Sequence, residues 1–158
     1  MTYSDKVKRI AWISPYSSAS AISAMSKNVL KHMNEPYKGV NFEVVLFVND
    51  FGARYNSPVP LVALPEYSHL SELYNTFDAV LMNMGNNVEN HGRIFNELRR
   101  FPGVVILHDY TYHHLFANYL FSQQDGRKQY ANLMSSVYGD DGLDLAIRSK
   151  ITRVGYSR

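Results

Sequence analysis

Residues 42–48 read FEVVLFV, a near-continuous apolar run interrupted only by Glu43. A strand with one wet face alternates apolar and polar residues. A run like this suits a strand covered on both faces, as in a parallel sheet. Parallel neighbours need crossover connections, so the flanking sequence should hold helices.

It does. Upstream, residues 9–14 (RIAWIS) read as a short buried strand that stops at Pro15. Between the two strands, residues 21–33 carry Ile22, Met25, Val29, Leu30 and Met33 on one helical face, with Ser20 placed to cap the first turn. Pro36 and Gly39 end that unit. Downstream, Asn49-Asp50-Phe51-Gly52 closes the apolar run, and Pro58, Pro60 and Pro65 bracket an extended piece over residues 61–64. Ser68 is placed to cap a short helix reaching residue 75. Residues 79–82 read as the next strand and lead into Asn83-Met84-Gly85-Asn86-Asn87. A helix over residues 90–101 follows, striped by Ile94, Phe95, Leu98 and Phe101 and broken by Pro102-Gly103. Residues 104–107 form the last clear strand, ending at His108-Asp109. Residues 112–121 and 127–138 read as helices, and the tail from Asp140 has room for one more. No repeat or linker interrupts the pattern. Strands alternating with helices predict an α/β, Rossmann-like three-layer sandwich with a mostly parallel sheet.

The chain has 158 residues, the size of a single domain. Its formal net charge of +2 and the lack of any run of five basic residues argue against nucleic acid as a partner. The densest basic cluster, Lys6, Lys8 and Arg9, reads as a solvated lead-in to the first strand, with a weak peripheral contact to an anionic membrane as the alternative. There are no cysteines, which excludes disulfides, thiolate metal sites and cysteine nucleophiles. Residues 1–8 are polar and lack the apolar core of a signal peptide. No apolar stretch approaches the roughly 18 residues that span a bilayer. A cytoplasmic location is the expectation.

In parallel sheets, ligands gather outside the carboxyl ends of the strands. Three loops fall there: residues 15–20, 83–87 and 108–111. The first holds Ser17, Ser18 and Ser20 and leads into a helix at Ala21. Exposed amides and the helix dipole make such a place receptive to phosphate or carboxylate, although no glycine fingerprint or Walker motif is present. Its alternative is an ordinary capped turn. The second loop offers Gly85, Asn86 and Asn87, whose amide side chains both donate to and accept from sugar hydroxyls; the same residues are also ordinary turn formers. The third places His108 at the end of a strand, where an imidazole donates to a substrate oxygen or moves a proton, with Asp109 to orient it or cap the next helix. His108, Asp109, His113 and His114 match no standard zinc spacing, so no metal is expected.

The stretches RIAWISPYSSASAISAMSKNVLKHM and AVLMNMGNNVENHGRIFNELRRFPGVVILHDYTYHHLFANYL resemble the N-terminal domain of family 4 glycosyltransferases with the GT-B architecture. The second is the more specific. It has the strand ending in a Gly-Asn turn, a helix, and a Pro-Gly-Val-Val strand ending in Leu-His-Asp and followed by His-His-Leu. The resemblance implies two Rossmann-like domains across a cleft, with the nucleotide-sugar donor held mostly by a C-terminal domain and the acceptor held mostly by this one. It implies transfer that retains the anomeric configuration and needs no metal or other cofactor, the nucleotide-sugar being a substrate. His108 matches the family histidine that contacts the donor sugar; Gly85 and Asn86 match the Gly-Asn turn; Ser17, Ser18, Ser20 and Ala21 match the first loop. Many relatives carry glycine in that loop. Here Ala21 adds a methyl group that narrows approach to the backbone.

On this reading residues 1–158 are one N-terminal domain, the C-terminal donor-binding domain and its Glu-x7-Glu signature lie outside the chain, and the isolated domain is inactive or nearly so. The exposed cleft wall, including Tyr110 and Tyr112, then favours self-association. The alternative is a stand-alone module that binds a sugar, nucleotide or protein without turnover. A regulator-type domain is disfavoured, because no acidic cluster sits at the end of the first strand to hold magnesium.

Overall fold

The computed structural model describes residues 6–17, 20–49, 56–64 and 70–148. The elements run β1 (Lys6–Ile13), α1 (Ala21–His32), β2 (Val40–Val48), β3 (Leu61–Ala63), α2 (Leu70–Thr76), β4 (Ala79–Met84), α3 (Val88–Leu98), β5 (Val104–Leu107), α4 (His113–Phe121) and α5 (Gly126–Arg148). They fall into two compact units, Met1–Tyr112 and His113–Arg158.

The first unit holds the whole sheet. Its strand order is β3-β2-β1-β4-β5, and every pairing is parallel. This is the Rossmann-like order, an α/β layered fold. The apolar run that announced it lies second from one edge, and its Val44, Leu46, Phe47 and Val48 are buried. β1 at the centre is paired on both sides, and Ile10 to Ile13 are almost wholly buried.

Register sorts the side chains. Ile10 and Trp12 of β1 share a face with Val44 and Leu46 of β2. These form one core cluster, against which Met25 and Met33 pack from α1 and its C-terminal end, and which includes Leu30 of α1. The opposite face carries Phe47, whose ring meets Phe77 edge-on at 5.6 Å just beyond α2. Helices on both faces follow from right-handed crossovers that leave β1 in one direction and β3 in the other.

Several boundaries differ from the sequence expectation. β1 starts at Lys6, so the basic cluster is part of the strand. Lys8 pairs with Asp78, Arg9 stands 3.6 Å from Glu43, and the Arg9 amide donates to Asp78 Oδ2 at 2.8 Å. Pairing with β2 from Lys6 onward extends the strand through residues whose side chains stay wet. β2 itself begins at Val40. β4 continues through Asn83 and Met84, because β5 pairs with both. α3 begins at Val88 and ends at Leu98, earlier at each end than periodicity alone suggests. The Ser68 cap and most of the Asn49–Gly52 stretch lie outside the described residues.

The second unit is helical. Leu115, Ala117 and Tyr130 are buried in it, and the Tyr130 hydroxyl is hydrogen-bonded to His113 Nδ1 at 2.9 Å. The α5 run is broken at Gly139 (φ 64°, ψ −146°), which separates two helical segments as the tail reading expected. No helix among the described residues is long and apolar enough to cross a membrane.

Candidate functional site

β1 and β4 are neighbours, yet the chain leaves β1 toward β2 and leaves β4 toward β5. Their outgoing loops diverge, and a crevice opens between them at this switch point. A cavity of about 550 Å³ lies there. Ser17, Ser20, Ala21, Ile22 and Met25 line it from the β1 side. Gly85, Asn86, Asn87, Asn90 and His91 line it from the β4 side. His108 and Asp109 complete it from the end of β5. Of the site residues expected from the sequence, Ser17, Ser20, Ala21, Gly85, Asn86, Asn87, His108 and Asp109 therefore line one cavity, and Ser18 lies outside the described residues.

The first loop is shaped by hydroxyls. The Ser20 Oγ accepts the Ser23 amide at 3.3 Å, capping α1. The Ser23 hydroxyl accepts the Ser17 amide at 2.8 Å and donates to the Pro15 carbonyl at 3.0 Å. Behind it, the Trp12 indole donates to Ser26 Oγ at 3.1 Å, and Ser26 and Ser14 Oγ atoms are 3.0 Å apart. Ser14 donates its own proton to the Pro15 carbonyl, so Ser26 donates to Ser14. The serines thus hold the loop; Ser20 acts as a cap, and Ala21 is the first residue of α1.

The second loop is also tied down. Asn87 Oδ1 accepts the amides of Glu89 and Asn90, at 2.8 and 3.2 Å, and caps α3. The Asn86 amide donates to Asp109 Oδ2 at 2.6 Å, so the third loop clamps the second. A β-carbon on residue 85 would lie 2.7 Å from both His91 Nε2 and Ile22 Cδ1, and 3.2 Å from Asp109 Oδ2. Glycine is what keeps this floor open.

His108 is fixed by backbone and side chain. Its amide donates to the Met84 carbonyl at 2.9 Å, and its Nε2 stands 2.9 Å from Asn83 Oδ1. Asn83 is wholly buried and donates its amide to the Ile13 carbonyl at 3.1 Å. Burial pushes the His108 imidazole below its ordinary range, against the opposing pull of Asp109. His91, 3% exposed, is pushed down in the same direction, chiefly by burial. Its Nδ1 is 3.2 Å from the Asn83 carbonyl. Tyr112 also reaches back, its hydroxyl donating to the Met84 carbonyl at 2.9 Å. Tyr110 is fully exposed.

Two contributors escape a reading by spacing alone. Asn83 looks like the first turn residue, but it is a polar residue inside a buried strand, and such a residue must find partners. His91 looks like a helix-surface residue until Asn87 is recognised as the cap, which puts His91 in the first turn facing the crevice. No Lys or Arg is among the described residues lining the cavity. Among the described residues no three His, Asp or Glu side chains stand together as metal ligands.

Comparison with protein families, with curated proteins and with solved structures found no match to this chain.

Proposed function

We propose that this chain is the acceptor-side wall of a glycosyltransferase cleft, moving a sugar from a nucleotide-sugar donor to a sugar or glycan acceptor. The observation that carries the reading is the convergence of His108, the Gly85-Asn86 turn and Ser17, Ser20 and Ala21 on one cavity at the switch point. That is where an α/β sheet of this order offers its ligand site. Among the described residues the lining is rich in amides, hydroxyls and imidazoles and poor in charge, which suits a polyhydroxylated group better than a free polyphosphate. The N-termini of α1 and α3 both open on it, and α1 carries no acidic residue in its first turn. They add a mild preference for electronegative groups at the mouth. His108, rigidly placed and held neutral, contacts the donor sugar near the bond that breaks. A donor-binding domain on the far side of the cleft supplies the nucleotide contacts, and both walls together orient donor and acceptor.

The test is binding mapped by backbone amide NMR. Nucleotide-sugars and neutral methyl glycosides are titrated into the chain and into a His108→Ala variant. Shifts confined to Ser17, Ala21, Gly85, Asn86 and Asp109, weakened at least tenfold in the variant, are the expected result. Shifts at other places, or none with any sugar at millimolar concentration, end the reading.

A further inference from the structure

Asn83 holds both histidines of the pocket, and it does so through two different oxygens. Its carboxamide nitrogen donates to the Ile13 carbonyl at 3.1 Å, and a carbonyl only accepts. The amide orientation is therefore fixed, with Oδ1 facing His108 Nε2 at 2.9 Å. An amide oxygen also only accepts, so His108 must carry its proton on Nε2. The Asn83 backbone carbonyl, by the same reasoning, requires the proton of His91 on Nδ1, 3.2 Å away. The neutral rings are locked in opposite tautomers, leaving a bare Nδ1 on His108 and a bare Nε2 on His91.

The bare Nε2 of His91 is aimed at the open floor over Gly85, which Asp109 Oδ2 also faces. The bare nitrogen of His91 and the Asp109 carboxylate face this end of the cavity, which His108 also lines, and none of the described lining side chains is a Lys or Arg. An anion placed against His91 Nε2 and Asp109 Oδ2 meets two acceptors. A hydroxyl meets partners to which it donates.

We infer that Asn83 is a tautomer-fixing positioning residue, and that the inner end of the pocket, through His91 Nε2, His108 Nδ1 and Asp109, binds an uncharged hydroxyl-bearing group and rejects phosphate. The ligand half of this inference rests on the sugar-binding reading above; the tautomer half does not.

The experiment is long-range proton–nitrogen correlation NMR of the chain labelled with nitrogen-15 in histidine, at neutral pH. Expected are a protonated Nε2 and bare Nδ1 for His108, and the reverse for His91. In Asn83→Ala, His108 becomes a tautomer mixture while His91, bonded to a backbone carbonyl, keeps its proton on Nδ1. A general loosening of the fold would disturb both rings alike. If that variant does not fold, the wild-type spectrum alone decides: either ring in the opposite tautomer, or charged, overturns the assignment. Methyl glucoside and inorganic phosphate are then titrated separately. Shifts of the two bare nitrogens with the glycoside and not with phosphate support the ligand half. Shifts with phosphate, or with neither probe, overturn it. A chain with both tautomers in place that binds glycoside yet contributes to no sugar transfer sinks the transferase reading alone.

Discussion

At position 85 a single methyl group decides whether the crevice is open. The β-carbon of Gly85→Ala would overlap the His91 ring, which is buried and tied to Asn83, and the tip of Ile22, which has more freedom to move. Overpacking of this kind costs about 1–3 kcal/mol. The variant should fold with a melting temperature several degrees lower, and should lose glycoside binding at least tenfold, as read by calorimetry or NMR. Full binding in a folded Gly85→Ala protein would show that ligands do not approach the floor. At this scale the sequence was only partly legible. His108 and Gly85 announce themselves by residue type at a strand end. Asn83 and His91 do not, because their role comes from burial and from hydrogen bonds across 25 and 8 positions of sequence.

At the scale of elements, α3 carries the site at one end and a buried acid near the other. Glu97 is 1% exposed, and neither carboxylate oxygen has a hydrogen-bond partner among the described residues. Arg93, one turn earlier, lies 3.8 Å away, an ion pair rather than a hydrogen bond. Burial raises the carboxyl above its ordinary value of 4.5, and the nearby Arg93 and Arg100 only partly oppose this. A raised carboxyl favours the protonated form in the folded state. Its contribution is fully present at acid pH and is lost as pH rises through the folded value. Glu97→Gln, which cannot ionise, should match the wild type near pH 4 and gain on it steadily as pH rises toward neutrality. Melting curves of the two proteins across that range check it; a constant difference would refute the assignment. Periodicity located α3 but misjudged its ends. The Asn87 cap, a local side-chain bond, sets the start at Val88, and an apolar stripe carries no information about where a cap sits.

At the scale of the molecule, the parallel sheet follows from its least alternating stretch, but the strand order does not. Pairing of β1 with β4 joins residues about 70 positions apart, and nothing local to either strand specifies it. The division after Tyr112 is equally silent in the sequence, since no Pro- or Gly-rich linker precedes His113. Trp12, the sole tryptophan, sits in the central strand at 3% exposure, so its emission should be blue-shifted and resistant to acrylamide. On denaturant unfolding it should redden in step with loss of the first unit's strands by circular dichroism; an earlier change would mean the sheet does not melt as one body.

The hydroxyl chain behind the first loop has a direction: indole to Ser26, Ser26 to Ser14, Ser14 to the Pro15 carbonyl. Each member has one proton to give, so displacing the last carbonyl leaves the Ser14 hydroxyl in search of a new acceptor, and its turning shifts the oxygen to which Ser26 donates. The protein thus contains its own optical gauge. A guest that tugs on the backbone at the mouth should be registered, three hydrogen bonds inward, as a change in the colour of the one indole.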